Sequence, residues 1–303
     1  MTNRRLAAAA TVIFSVALLW TVAPSAQALQ RSIYTSVLTK EGAPVADLGP
    51  SDFVVREDNL SREVLKVEPS TAPMQVALLV DNSGRSNANI RDIREATNEF
   101  IKGMTGSGLR NEVAVVSVAE RATMMVDYTV DQPKLLAGAG RIFTQSGSGA
   151  YLLDGLFETT QGFKKREASR PVIVAIATNG PEFSNRYHDQ VIGALRGVGA
   201  SFHIVMVGTP PTDIISSEGR ERALTFSQGT EGTGGRYDNV LAASALPTRL
   251  KQVANELTHQ YLVTYARPQT LIPPEHVTIT GKNANFVVRG TPAAEKGNSR
   301  GAR

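Results

Sequence analysis

The side chains able to do chemistry stand where apolar runs stop. The run at residues 75–80 ends in Asp81-Asn82-Ser83-Gly84-Arg85-Ser86, and the run at 171–177 ends in Thr178-Asn179-Gly180. A Gly/Ser loop at 145–149 leads into Ala150. One carboxylate, several hydroxyls, an amide and a guanidinium form a set for holding a ligand rather than for breaking a bond. Side-chain nucleophilic catalysis needs a nucleophile, a base and a group that orients the base. No such set assembles in this sequence, so a hydrolase is not expected and no catalytic residue is assigned. The chain has no Cys, which removes thiol catalysis, disulfide frameworks and thiolate-bound zinc. Its four His (His188, His203, His259, His276) show no metal-ligand spacing. Gly147-Ser148-Gly149 lacks both the G-x-S-x-G and the Walker spacing and reads as a helix-entry loop. His188-Asp189 reads as a helix start, and His203, inside an apolar run, as a hydrogen-bonded core histidine. The Gly-rich stretch 229–235 follows a helical pattern rather than a strand, unlike a dinucleotide loop, and reads as a turn. Lys164-Lys165-Arg166 suits a helix C-terminus, where the macrodipole favours cations.

The elements that must position these groups follow from periodicity. Residues 75–80, 113–118, 171–177 and 202–207 are continuous apolar runs, as expected of strands covered on both faces. Between them Ile90, Ile93, Thr97, Phe100, Ile101 and Met104 recur at helical spacing behind Asn89, a candidate N-cap. Further helices are predicted at 150–165, 189–198, 220–228 and 245–259, with a strand at 122–128 beside 113–118 and another at 261–266. Apolar strands alternating with amphipathic helices imply right-handed crossovers. The fold class expected is therefore α/β: a doubly wound, mostly parallel, Rossmann-like sheet, flanked by a small β segment from both chain ends. In such sheets ligands bind beyond the carboxyl ends of the strands, so Asp81, residues 145–150 and Asn179 should converge on one crevice. The flanking segments are strand-like: Ile33, Thr35, Val37 and Thr39 alternate, Phe53-Val54-Val55 runs into a turn, and 64–67, 277–280 and 286–289 are short extended stretches. The last two are predicted to pair with each other through residues 281–283.

An apolar strand, then Asp81-Asn82-Ser83-Gly84-Arg85-Ser86, then a helix resembles the start of a von Willebrand factor type A domain. Residues 148–156, SGAYLLDGL, resemble the family's GGTALYDAL, and Thr178-Asn179-Gly180 its Thr-Asp-Gly. The stretch Asp52, Phe53, Val55, Glu57, Asp58 resembles the leading segment of the related acidobacterial proteins, so the likeness covers most of the chain. The resemblance implies a metal-ion-dependent adhesion site holding Mg²⁺ or Mn²⁺ through Asp-x-Ser-x-Ser, a Thr and an Asp. A small hard cation of this kind wants a near-octahedral oxygen shell. Carried over position by position, Asp81 and Ser83 match. Arg85 stands for the second Ser with Ser86 one place off register, Ala150 stands for the Thr, and Asn179 for the Asp. Two carboxylates would offer a charge of about −2, whereas Asp81 and Arg85 sum to about zero. The binding crevice expected is a degenerate one, of Asp81, Ser83, Arg85, Ser86, Ala150 and Asn179. It needs no cofactor: Arg85 is expected to lie over Asp81 in place of the ion. The alternative is weak Mg²⁺ or Mn²⁺ binding by Asp81, Ser83 and Ser86, helped by Ser148 and Thr178, with Arg85 swung outward.

Composition sets the address. Arg4 and Arg5, an apolar run at 6–23 and Ala26-Gln27-Ala28 form a basic start, a hydrophobic middle and a small-x-small ending, as in a cleavable export signal. The segments expected are thus a signal at 1–28, a β segment at 29–70, the α/β domain at 71–267, a second β segment at 268–292 and a disordered tail at 293–303. An uncleaved anchor is the alternative for the first. Without Arg4 and Arg5 the charge balance is 30 basic against 28 acidic residues, too small and scattered a surplus for nucleic acid. No membrane span remains after cleavage. The function expected is an exported, periplasmic or extracellular, non-enzymatic module that binds a protein partner; the rival is an envelope scaffold acting through its β segments.

Overall fold

A computed structural model describes residues 29–209, 216–268 and 274–293. The expected export signal at 1–28 and nearly all of the expected tail lie outside the described residues. In chain order the elements are β1 (Leu29–Leu38), β2 (Phe53–Glu57), β3 (Leu60–Arg62), β4 (Val64–Pro69), β5 (Gln75–Asp81), α1 (Ile90–Thr105), β6 (Glu112–Val118), β7 (Ala122–Thr129), α2 (Gln132–Ala139) and α3 (Leu152–Lys165). They continue with β8 (Pro171–Thr178), α4 (His188–Gly197), β9 (Ser201–Val207), α5 (Ser217–Thr233), β10 (Tyr237–Val240), α6 (Leu246–Thr258), β11 (Tyr261–Arg267), β12 (Val277–Gly281) and β13 (Val287–Pro292). Among the described residues no helix is long and apolar enough to cross a membrane.

The central sheet has the order β10-β9-β8-β5-β6-β7, parallel except for the antiparallel edge β7. Its apolar runs reflect burial on two faces. Val76, Leu78 and Val80 of β5 pack with Ile93, Phe100 and Met104 of α1 and Leu250 and Val253 of α6. Ala77 and Leu79 pack on the other side with Leu153 and Leu156 of α3, Leu195 of α4 and Phe226 of α5. The period-2 alternation of a strand thus feeds two cores, and helices cover both faces.

Several expectations are corrected. Residues 229–233 are helix, not turn: α5 runs to Thr233 and ends at Gly234, a left-handed C-cap with φ +73°. The helix tolerates its many buried threonines because each hydroxyl bonds back one turn, Thr225 to Glu221 O, Thr230 to Phe226 O and Thr233 to Gly229 O. A Cβ on Gly235 would fall 1.7 Å from Phe202 O, so the chain leaves α5 through a gap that only glycine fits. Helix α2 and strand β10 were not anticipated, being short and weakly patterned. Helix α1 begins at Ile90 as expected, but the Asn89 side chain makes no capping bond, and a 3-10 turn, Gly84–Asn89, precedes it.

The two β segments form one companion unit of two sheets, β13-β1-β11-β4 and β12-β2-β3, around a shared core of Ile33, Val37, Phe53, Val55, Val263 and Ile279. β12 and β13 do not pair with each other: β12 lies on β2 and β13 on β1. Ile279 reaches across to sit where a Cβ of Gly290 would be, so side-chain packing rather than a ladder joins the two strands. β11, expected as the closing strand of the α/β layer, pairs with β1 and β4 instead.

An ionic cluster ties the companion to the α/β layer. Glu256 of α6, 1% exposed, receives Arg289 Nε and Nη2 from β13 at 3.0 and 2.9 Å and Arg236 Nη1, next to β10, at 3.1 Å. Burial alone raises the Glu256 carboxyl, but the charges of Arg289 and Arg236 outweigh it and hold the carboxyl below the usual carboxylate range. His203 lies beside this cluster, and its expected hydrogen bond is absent: both ring nitrogens are buried without a protein partner. Burial depresses its imidazole to about 4.

Candidate functional site

Three loops meet beyond the carboxyl ends of β5 and β8. Gly84 N donates to Ser148 O at 3.0 Å, Gln145 N to Asn82 O at 2.8 Å, Ala150 N to Pro181 O at 3.1 Å and Phe183 N to Ala150 O at 2.8 Å. The convergence of Asp81, residues 145–150 and the 178–180 loop is as expected. Within it Asp81, 1% exposed, already accepts at both oxygens: Oδ1 takes Ser83 N at 2.9 Å, and Oδ2 takes Thr178 N at 2.9 Å and Thr178 Oγ1 at 2.6 Å.

The remaining expected residues divide. Ser86 is buried and donates to Ser83 O at 2.8 Å, with Thr144 Oγ1 at 3.0 Å. Ser148 donates to Gln145 O at 2.7 Å. Ser83 Oγ is buried and has no hydrogen-bond partner. Ala150 is buried and brings no donor atom. Asn179 is exposed and its amide lies against Gly208, at the end of β9, away from Asp81. The expected Arg85–Asp81 contact does not form: Arg85 is exposed, has no ion-pair partner among the described residues, and its stem packs on Gly180, where a Cβ would lie 3.0 Å from Arg85 Cβ. Asp81 is instead hydrogen-bonded by its own loop and by Thr178, leaving Arg85 to solvent. No cluster of three His, Cys, Asp or Glu suited to a metal exists among the described residues.

Residues that sequence reasoning missed support the loops from beneath. Arg222 of α5, 2% exposed, donates Nη1 to Gly180 O and Nη2 to Thr178 O, bracing the loop that carries Asn179. Its spacing from Phe226, whose ring lies 5.1 Å from the guanidinium carbon, was the available signal. Glu182, buried, accepts Leu153 N at 3.4 Å and Ser184 N at 3.2 Å, while Ser184 Oγ accepts Asp154 N at 2.9 Å, so the start of α3 is capped from another loop. Burial pushes the Glu182 carboxyl up to about 7, against Ser184 and Arg222. Arg222→Met should leave two strand-end carbonyls unpaired and cost about 2 kcal/mol, part of the loss being offset by no longer burying a cation. Urea unfolding of the two proteins checks this, and unchanged stability would remove Arg222 from the support of the site.

With the loops placed, sequence comparison finds one family: residues 76–181 match the model of the von Willebrand factor type A domain. Over that span the chain is similar to a von Willebrand factor type A domain. The matched span runs from β5 to the end of the 178–180 loop and so contains all three loops. No curated protein matches the sequence. Among solved structures, proximal thread matrix protein 1 from the mussel byssus aligns with TM-score 0.50 and 16% identity over 71% of this chain and 50% of its own. A von Willebrand factor type A protein from Catenulispora acidiphila aligns with TM-score 0.49 and 12% identity over 89% of this chain and 74% of its own. The pilus adhesin SpaC from Lactobacillus rhamnosus GG aligns at 0.49 and 11%, over 86% and 48%. The type A fold, a mixed, mostly parallel sheet with helices, agrees with the sheet order described above.

Proposed function

We propose that the chain is an exported, non-enzymatic protein-binding module whose type A crevice works without a divalent ion, Arg85 receiving an acidic side chain of the partner. One observation carries the reading: the Asp81 carboxylate spends both oxygens on Ser83 and Thr178, while the neighbouring Arg85 stands exposed with no counter-ion among the described residues. The residues present do not fit Mg²⁺ or Mn²⁺. Of the family's ligand positions, Ala150 offers a methyl, Asn179 is a neutral amide turned to Gly208, and Ser83 Oγ is the one hydroxyl of the loop left unengaged. A guanidinium stays charged at any physiological pH, so it repels a dication and attracts a carboxylate. Export rests on the signal-like segment 1–28, and the absence of catalysis on the lack, among the described residues, of an assembled nucleophile, base and group that orients the base.

Thermal unfolding in a Mg²⁺ and Mn²⁺ series tests the metal-free reading. The wild type should show no saturable stabilisation below about 1 mM ion, whereas Arg85→Ser, Ala150→Thr, Asn179→Asp together should gain it. Saturable stabilisation of the wild type would refute the reading. Capture of partners on immobilised wild type and Arg85→Ala tests recognition, and undiminished capture by the variant would place binding elsewhere.

A further inference from the structure

Resting on that reading, we propose that the crevice recognises a protein segment in which the carboxylate is accompanied by a bulky apolar side chain, received by Phe183 and Phe143. Both rings are exposed, 52% and 64% respectively, on loops that end at the crevice. Neither is loosely placed. The Phe183 ring lies against Gly149, where a Cβ would fall 1.8 Å from a ring carbon, and stacks on Tyr151 with centroids 6.1 Å apart. Phe143 lies under the Arg94 guanidinium, 4.5 Å from its centroid, and its carbonyl accepts Asn82 Nδ2 at 2.8 Å. Gly149 and Gly180 have parallel uses: the missing Cβ of one seats Phe183, and that of the other seats Arg85. Rings already held in place lose little freedom on binding, which is what allows an aromatic residue to anchor an interface.

The charge around these rings selects the partner. Over spans 82–89, 143–151 and 179–187 the side-chain charges are Arg85, Arg186 and Glu182. Glu182 is buried and Arg186 is paired with Asp154 at 2.8 Å, so Arg85 is the exposed cation of these spans with no ion pair among the described residues, and Arg94 of α1 adds a half-buried cation over Phe143. A fixed cation beside fixed aromatic surface complements an acidic residue next to Phe, Trp or Leu. Single-stranded nucleic acid also pairs anions with stacking faces, but it needs a line of cations along its backbone, and these spans present one.

A random dodecapeptide library displayed on phage, panned against the full chain, supplies the probe. Selected peptides should place Asp or Glu within two positions of Phe, Trp or Leu. Synthesised and titrated by fluorescence anisotropy, they should bind Phe183→Ala and Arg85→Ala about tenfold more weakly or worse, with each variant melting as the wild type does. A pool without the acidic–apolar pairing, or undiminished affinity in Phe183→Ala, overturns the proposal. If Arg85→Ala alone weakens binding, the aromatic part fails while the crevice reading stands; if neither does, both fail. Tighter binding of labelled dT20 than of the selected peptides, lost in Phe183→Ala, would reassign the face to nucleic acid.

Discussion

Glu256→Gln should lower the free energy of unfolding by about 3 kcal/mol, read as a shift of the urea midpoint with unchanged slope. The carboxylate is fully buried and is the common acceptor for Arg289 and Arg236, whose side chains are 21% and 12% exposed. The amide keeps the shape and removes the charge, so Arg289 loses its carboxylate and Arg236 keeps Asp238 alone, at 2.7 Å, in the seam between α6, β10 and β13. Breaking a buried pair from one side is costly for this reason, and partial exposure of the arginines keeps the loss at the low end of the usual range. The converse test is replacement of Glu256, Arg236 and Arg289 together by Met. That variant should recover part of the loss, because removing the three charges also removes their desolvation while Asp238, 18% exposed, gives up Arg236 and keeps Arg249 at 3.9 Å. A midpoint in Glu256→Gln within about 0.5 kcal/mol of wild type would mean that solvent screens the cluster and that apolar packing alone joins the companion unit to the α/β layer.

The second large effect appears only when one of two opposed groups is removed. His203 is depressed from 6.5 to about 4 in the fold, so the unfolded chain binds more protons between those values, and stability contributed by the neutral ring is lost as pH falls from 6.5 to 4. Glu182 is raised from 4.5 to about 7, so the folded chain binds more protons between those values, and its contribution is lost as pH rises from 4.5 to 7. Each shift corresponds to about 3 kcal/mol at its limit. The windows overlap and the signs oppose, so the wild type should vary little in stability between about pH 4.5 and 6.5. Glu182→Gln should expose the His203 slope, with the protein weakening by up to about 3 kcal/mol as pH is lowered through that range. His203→Leu should expose the Glu182 slope and strengthen as pH is lowered. Denaturant midpoints measured from pH 4 to 7.5 on the three proteins decide it, and parallel profiles would show that neither group changes its proton affinity on folding.

Much of this architecture was legible in the residues because burial writes itself into a strand covered on both faces. β5, β6, β8 and β9 announced themselves as apolar runs, and α1, α3 and α6 as 3.6-residue patterns, since each must bury one stripe. The loop carrying Asp81, Ser83 and Ser86 was legible too, as was the meeting of that loop with those that carry Ala150 and Asn179. What could not be read was the pairing of β12 with β2 and β13 with β1, because five-residue alternations look the same whichever neighbour they take. The helical course of residues 229–233 was hidden by glycines whose freedom is overridden where Thr230 and Thr233 satisfy themselves within α5.

The sequence by itself determined which groups stand in the crevice: one carboxylate, no second one, and a guanidinium that cannot lose its proton. Only the tertiary structure decided that these two do not meet. Asp81 lies deep enough for Thr178 of the adjacent strand to reach it, while Arg85, two residues beyond the Ser83 amide that also holds it, lies in a 3-10 turn that carries its side chain over Gly180 and outward. A hydrogen bond between neighbouring strand ends is set by sheet register, and register is a property of the folded chain that spacing along the sequence does not contain.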